Sequence, residues 1–209
     1  MRKADLEPAP KEPSGFCRKC GAAMVWKTLC VNDPVRAVCP RCNYVQYNSP
    51  AVLVVTSIAA ENKLLLVKRG TDPYAGQWAL PGGYVEAFES VEGAAVREAQ
   101  EEAGIDLRAS TLIPSGLFSL PHLNQVHVVF FVKLEKMVAV SPNLPETTDA
   151  RWFAEEEFPA DIWAPAGKFD ISLIYRRLRD ERFDFYHLTD DYVRLVSDGT
   201  AIKDIWRKE

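Results

Sequence analysis

The stretch GGYVEAFESVEGAAVREAQEEAGI, residues 82 to 105, decides the fold of this 209-residue chain, and it carries six glutamates in 24 positions. A turn-rich segment, GTDPYAGQWALPGGY, precedes it. Ser90 is a favourable helix N-cap and Gly104 a favourable helix end, so the sequence predicts a loop, then a helix, then a second loop.

Three of the glutamates are predicted to share one face of that helix. At about 100° per residue, Glu101 lies near −60° and Glu102 near +40° from Glu98. Like charges at these spacings each cost a few tenths of a kcal/mol on an exposed helix. A divalent cation reverses that sign, and carboxylate oxygens suit Mg²⁺ or Mn²⁺. Taken alone, however, a Glu-rich helix is more often simply a solvated surface.

A longer pattern decides between these two interpretations. Its fixed positions follow G-x5-E-x7-R-E-U-x-E-E-x-G-U, where U is aliphatic, with one departure, the small Ala99 at the first U. This pattern resembles the Nudix box, and the resemblance extends from Pro50 to about Ala166. The matching residues are Gly83, Glu89, Arg97, Glu98, Ala99, Glu101, Glu102, Gly104 and Ile105.

The resemblance implies an α/β (α+β) fold, a three-layer α/β/α sandwich with a mixed sheet. It implies that Glu98, Glu101 and Glu102 bind Mg²⁺ or Mn²⁺, with the Gly83 carbonyl as a further ligand. It also implies that Arg97 pairs with Glu89. An Arg that forks onto this carboxylate would fix the loop relative to the metal-binding face.

The implied reaction is hydrolysis of a diphosphate linkage. The metal would neutralise the phosphate oxygens and lower the pKa of the attacking water, and a carboxylate would take the proton. Glu101 and Glu102 are candidate bases within the box. Glu146 and Asp149, in LPETTDARWF, are candidates from a later loop, and a solvated loop acid is an equally good interpretation of Glu146.

Four of the five cysteines form two CxxC pairs, Cys17 with Cys20 and Cys39 with Cys42. This spacing is typical of a zinc ribbon, in which four thiolates close a structural Zn²⁺ site. Cys30 is left over and is interpreted as a small hydrophobic residue. A ribbon before the box is similar to that of zinc-ribbon Nudix proteins, which include NADH, FAD and ADP-ribose pyrophosphatases.

Charge divides the chain into segments. Residues 17 to 50 hold five Lys/Arg and one acid, whereas residues 51 to 209 carry a net charge of about −8. We expect a flexible tail over 1–15, the zinc ribbon over 16–49, a Nudix domain over 50–166 and a helical extension over 167–209. Ile171, Ile174, Tyr175 and Leu178 share one face of the first helix predicted in that extension.

Substrate candidates flank the box. The SQPWPFP-type signature of NADH-preferring relatives is not found after the box, and Pro121 lies sixteen residues beyond Ile105, as in relatives that act on ADP-ribose. These features favour a nucleoside diphosphate linked to another group, such as ADP-ribose or FAD. The residues predicted to hold phosphate or stack on a base are Arg69, Tyr74, Trp78, Phe118 and His122. His122 and His127 are more often plain strand histidines than catalytic ones, and Trp78 is equally well interpreted as a core residue.

Two alternative functions are nucleotide sensing and nucleic-acid binding. Some Nudix domains sense nucleotides, but their boxes are often degraded, whereas every charged position is intact here. The basic ribbon also raises nucleic-acid binding, which is the less favoured interpretation. The resemblance implies that the ribbon braces the domain or a dimer interface, so we expect a homodimer. We expect a cytoplasmic location, because no apolar h-region and no run of about 18 apolar residues is found.

Overall fold

The computed structural model describes residues 15–162, 172–180, 185–189, 192–197 and 201–207. It separates into two units, residues 1–49 and 50–209, at the point where the net charge of the sequence changes sign. Most of the predicted tail and Ile171 lie outside the described residues.

The first unit is a three-stranded antiparallel sheet, β1 (Val25–Lys27), β2 (Arg36–Val38) and β3 (Val45–Gln46). Its interior is small: Cys17, Met24, Ala37 and Cys39 are buried together, and Cys20, Ala22, Cys42 and Tyr44 pack against them. Thiols therefore provide much of the interior of this unit. So small an apolar core is typical of domains that need a metal or cross-links for stability.

The second unit contains the elements β4 (Ala51–Ala60), β5 (Lys63–Arg69), β6 (Trp78–Ala79), α1 (Val91–Ala103), β7 (Ile113–Leu120), β8 (Gln125–Lys133), β9 (Thr147–Phe153), α2 (Ser172–Asp180), β10 (Phe185–Leu188), β11 (Tyr192–Ser197) and β12 (Ala201–Arg207). Its strands form a mixed sheet in the order β12-β11-β10-β7-β8-β4-β5-β6, with β9 also paired to β5. Strand β4 is parallel to β8, and β7 is parallel to β10, while the other pairs are antiparallel.

Among the described residues, one helix packs on each face of this sheet. On β8, Phe130 and Val132 belong to the core that includes α1, whereas Phe131 packs with Ile174 and Leu178 of α2. Successive strand residues point to opposite faces, so a continuous apolar run supplies both cores. The predicted α/β/α sandwich with a mixed sheet is confirmed.

The prediction of a helical C-terminal extension is correct only for α2. Ile174, Tyr175 and Leu178 are buried, as the helical pattern requires. From Phe185 onward the described residues form strands, and β10 pairs in parallel with β7 while β11 and β12 extend the sheet. Pairing with a distant strand edge decides this outcome, and local periodicity does not report such pairing.

Candidate functional site

The helix α1 is formed and held as its sequence predicts. Ser90 Oγ accepts a hydrogen bond from Gly93 N at 3.0 Å, and Gly104 closes the C-terminus in the left-handed conformation at φ 69°. The buried side of the helix consists mainly of alanines. Ala99, which departs from the aliphatic consensus, is fully buried, and a small side chain there is consistent with close packing on the sheet.

Two glycines before the helix allow backbone and carboxylate to approach closely. A Cβ on Gly82 would lie 2.9 Å from Val55 Cα, and one on Gly83 would lie 2.7 Å from Glu98 Cδ. Only glycine leaves these contacts open. The Gly83 carbonyl accepts a hydrogen bond from Val54 N at 2.9 Å and keeps a second lone pair for another partner.

Arg97 connects the loop to the acidic face. It donates from Nε and Nη2 to the two oxygens of Glu89, at 2.9 and 3.0 Å, and from Nη2 to the Tyr84 carbonyl at 2.9 Å. Its Nη1 donates to Glu98 Oε1 at 2.7 Å and to Glu101 Oε2 at 3.0 Å. The hydrogen bonds from Arg97 lower the pKa of Glu89. The predicted Arg97 and Glu89 pair is therefore present in bidentate form.

Burial works against the negative charge of Glu98 and Glu102. Glu98 is 8% exposed, and desolvation raises its pKa despite the neighbouring Arg97. Burial also raises the pKa of Glu102 to about 8, although Gly82 N donates to its Oε2 at 2.8 Å. The charges of Glu98 and Glu146 raise the pKa of Glu102 further. Burial and mutual repulsion therefore disfavour the charged forms of Glu98 and Glu102.

The donor chemistry of this cluster fits a hard divalent cation. Glu98, Glu101 and Glu102 offer carboxylate oxygens to one cleft, and a cation would relieve their mutual repulsion. In the described part of the chain, however, only the four cysteines bring three or more ligand atoms within 4.8 Å of one another. Two of the glutamates accept hydrogen bonds from Arg97, and the third accepts one from the Gly82 amide. The binding of one ion by all three carboxylates is therefore a proposal.

The carboxylates line one cleft of about 950 Å³. Four of the predicted substrate residues also line it: Arg69, Tyr74, Phe118 and His122. Pro121 begins a short 3-10 turn, Pro121–Leu123, that brings His122 to the rim.

Of the two interpretations of Trp78, the structure supports the core residue and not the substrate contact. It is 7% exposed, its ring packs edge-on against Phe153 at 4.9 Å, and it does not line this cleft. Its neighbour Ala79 lines the cleft instead. Adjacent residues of a strand point to opposite faces, which explains why Trp78 lies in the core.

The two candidate bases outside the box lie in different surroundings. Glu146 lines the cleft and is exposed, and its backbone carbonyl accepts a hydrogen bond from Gly70 N at 2.7 Å. Asp149 does not line the cleft and forms an ion pair with Arg151 at 2.6 Å. The geometry therefore favours Glu146 over Asp149.

Sequence reasoning missed three further residues of the cleft. Tyr84, Gln125 and His127 all line it. Gln125 Nε2 donates to Tyr84 Oη at 3.1 Å, and Gln125 Oε1 lies 2.9 Å from His127 Nε2. The alternation of β8 places Gln125 and His127 on one face, but which face borders the cleft depends on the pairing of β8 with β4 and β7.

Four of the five cysteines of the first unit converge, whereas Cys30 is exposed and lies outside this group. Cys17 Sγ lies 3.6 Å from Cys42 Sγ, and Cys20 Sγ lies 3.4 Å from Cys39 Sγ. Four thiolates around one tetrahedral Zn²⁺ stand about 3.8 Å apart, given Zn–S bonds near 2.3 Å, so the cluster fits zinc. Burial raises the pKa of Cys39, but hydrogen bonds from the backbone of Cys42 and Arg41 outweigh it and lower this pKa to about 6.

Two family models match the chain. A model described as NUDIX domain matches residues 48–173, and a model described as Nudix N-terminal matches residues 15–48. The chain belongs to the Nudix hydrolase family. The recognition of the box, together with its preceding ribbon, is confirmed.

Relatives of this Nudix hydrolase include a curated ADP-ribose pyrophosphatase of Methanocaldococcus jannaschii, 35% identical over 72% of this chain and 78% of the relative. The NAD-capped RNA hydrolase NudC of Photobacterium profundum is 28% identical over 76% of this chain, which spans only 56% of that relative. A NUDIX hydrolase from Nitrosomonas europaea superposes with a TM-score of 0.69 at 30% identity, covering 84% of this chain and 99% of the other.

In the parts of the chain that the structure describes, every helix is too short or too polar to cross a bilayer.

Proposed function

We propose that this Nudix hydrolase cleaves the diphosphate linkage of a nucleoside diphosphate joined to a second group, with ADP-ribose or FAD as the substrate class. The products are a nucleoside monophosphate and a second phosphate compound. The observation that supports this proposal is one cleft that is lined both by carboxylates with Arg69 and by apolar and aromatic side chains such as Phe118. The curated ADP-ribose pyrophosphatase relative supports it independently.

Glu98, Glu101, Glu102 and the Gly83 carbonyl are the residues proposed to hold Mg²⁺ or Mn²⁺. Bound metal supplies neutralisation of the diphosphate oxygens and lowers the pKa of water. Arg97 is a positioning residue, because it holds the carboxylates that it contacts in fixed orientations.

The remaining roles are assigned to other residues that line the cleft. Glu146 is proposed as the general base that takes a proton from the attacking water while the bond from phosphorus to the bridging oxygen breaks. Arg69 is proposed to contact the diphosphate, and Tyr74, Phe118 and His122 the remainder of the substrate. Arg69 is already oriented, since its Nε donates to the Pro73 carbonyl at 3.2 Å.

The metal of the cysteine cluster, the oligomeric state and the location in the cell are part of the same proposal. The four-cysteine cluster is proposed to bind one structural Zn²⁺, because its thiols are close enough and a closed four-thiolate site has no open position for substrate. A homodimer and a cytoplasmic location are proposed as well. A monomeric mass in light scattering would contradict the dimer.

A substrate panel tests the proposed reaction. The full chain is incubated with Mg²⁺ or Mn²⁺ and ADP-ribose, FAD, NADH, diadenosine polyphosphates, nucleoside triphosphates or NAD-capped RNA, and the products are identified by mass. We expect preferential cleavage of ADP-ribose or FAD to AMP plus a second monophosphate. The Glu101→Gln variant tests dependence on the acidic face, and Glu92→Gln, on the first turn of the same helix, is the matched control. Cleavage that is equal in Glu101→Gln would overturn the assignment.

A further inference from the structure

Both peptide groups that flank Glu146 contact one residue, Gly70. Gly70 follows directly after β5, and its N–H donates to the Glu146 carbonyl at 2.7 Å. A Cβ on Gly70 would overlap the carbonyl oxygen of Pro145 and would lie 3.0 Å from the carbonyl carbon of Pro145. That carbonyl belongs to the peptide group before Glu146. The backbone on either side of Glu146 therefore lies against Gly70.

A side chain at position 70 has no space that a small adjustment could provide. The Pro145 carbonyl is part of the backbone, so it cannot rotate away as the end of a flexible side chain can. Thr148 Cγ2 would also lie 3.0 Å from the added Cβ. Glycine permits such a close approach between two backbone segments. Any larger residue would displace the loop that carries Glu146.

An irregular pairing between β5 and β9 accompanies this close approach. The two pairs around the irregularity are Lys68 with Asp149 and Arg69 with Thr147. Thr148 is therefore an extra residue on β9, and its Oγ1 donates to the Lys68 carbonyl at 3.3 Å. A bulge of this kind changes the direction of nearby side chains and is frequent next to active sites. Glu146 and Thr147, which precede the bulge, both line the cleft.

Glu146 lies within electrostatic reach of the acidic face. Burial is the main cause of the raised pKa of Glu98 and of Glu102, and the charge of Glu146 raises both values further. Arg69, the residue before Gly70, lines the same cleft. The proposed diphosphate contact and the residue against which the proposed base lies are therefore adjacent in the chain.

We propose that Gly70 is the positioning residue of the general base, because it fixes the backbone of Glu146 beside Arg69 and the acidic face. A general base must lie within hydrogen-bonding distance of the water whose proton it takes. A misplacement of about 1 Å costs on the order of 100-fold in rate. This inference rests on the proposed function, since it concerns the base of that reaction.

Steady-state kinetics of the full chain with Mg²⁺ test this role, with ADP-ribose or the member of the substrate panel that is cleaved fastest. Gly70→Ala should lower kcat about 10- to 100-fold, because the base is displaced, and should leave KM little changed. Gly76→Asn is the matched control in the same loop. A Cβ on Gly76 would meet nothing within 4 Å, and asparagine tolerates the φ of 83° found there, so kcat should be kept.

A double-mutant cycle separates the positioning of the base from a general loosening of the fold. Glu146→Gln removes the base and should by itself lower kcat about 100-fold or more. Once the base is absent, its position no longer affects the rate. Gly70→Ala should therefore add little to the loss in the Glu146→Gln background. A purely structural effect would instead lower kcat by the same factor in both backgrounds.

Thr148→Ala keeps the test decisive if Gly70→Ala does not fold. It removes the hydroxyl that connects the bulge to the Lys68 carbonyl. We expect kcat to fall several-fold when Glu146 is present and to change little in the Glu146→Gln background. In that case an unchanged kcat in Thr148→Ala, or an equal fall in both backgrounds, would overturn the role of Gly70.

The outcomes separate this inference from the proposed function. An unchanged kcat in a folded Gly70→Ala variant, or an equal fall in both backgrounds, would overturn the role of Gly70 while the proposed hydrolysis stands. Full activity in Glu146→Gln would overturn Glu146 as the base and the role of Gly70 with it. A wild-type protein that cleaves no member of the substrate panel would overturn the proposed function itself, and this inference with it.

Discussion

Gly83 and Glu98 leave no room for a side chain between them, because a Cβ on residue 83 would stand 2.7 Å from Glu98 Cδ. Gly83→Ala should therefore push the Glu98 carboxylate out of its position beside Arg97. We expect kcat/KM to fall about 10- to 100-fold, as for other losses of ligand orientation, with the melting temperature little changed. Steady-state kinetics and thermal denaturation check this expectation. Gly93→Ala in α1, whose Cβ would meet only Ser90 and Glu89 side chains at 3.2 Å or more, should keep activity.

Arg97→Lys should reduce activity although it preserves charge. A lysine cannot contact both Glu89 oxygens and at the same time reach Glu98 and Glu101, as the guanidinium does. We expect a 10- to 100-fold loss in kcat/KM, chiefly in kcat, and a higher Mg²⁺ requirement in a metal titration. Arg151→Lys, at an arginine 65% exposed, is the control, and an equal loss in both variants would contradict this role.

Glu102 should make the stability of the protein depend on pH when no Mg²⁺ is added. Its pKa rises from the ordinary 4.5 to about 8 on folding, so the folded state holds a proton that the unfolded state releases. The bound proton contributes fully to the free energy of unfolding below pH 4.5, and this contribution is lost as the pH rises toward about 8. The loss is on the order of a few kcal/mol. Denaturant titrations should show this decline, and Glu102→Gln should flatten it. A decline of equal size in the variant would assign the effect to other groups.

The cysteine cluster should bind one zinc ion per chain. Cys39→Ser removes a buried member of the cluster and should abolish stoichiometric zinc, measured by elemental analysis, together with the thiolate absorption of the Co²⁺-substituted protein. Cys30→Ser changes an exposed cysteine outside the cluster and should leave both signals unchanged. Full zinc content in Cys39→Ser would overturn the assignment.

Substitution of Trp78 should lower the stability of the protein, whereas substitution of Tyr74 should weaken substrate binding. Trp78→Ala removes a buried ring packed on Phe153 and should cost about 3–5 kcal/mol of unfolding free energy, with KM of the folded enzyme little changed. Tyr74→Asn removes a ring that is 49% exposed in the cleft, and asparagine tolerates the φ of 71° found there. It should raise KM several-fold with little loss of stability. A large KM effect in Trp78→Ala alone would reverse these roles.

The sequence by itself determined the features that depend on local spacing. The helix from Val91 to Ala103, its caps and the shared face of its glutamates follow from a period of 3.6 residues, and two CxxC pairs bring thiols together through short turns. The box pattern also determined the family, because so many constrained positions rarely coincide by chance. The α/β/α layering followed from that family resemblance.

Only the tertiary structure decided which strand residues border the cleft. Trp78 and Ala79 are adjacent in sequence, yet sheet pairing turns the first into the core and the second toward the cleft. The same pairing places His127 between Leu53 and Phe118, and it draws Phe185–Leu188 into the sheet where a helix was expected. The physical reason is that a strand has two equivalent sides, and contacts between residues far apart in sequence choose between them.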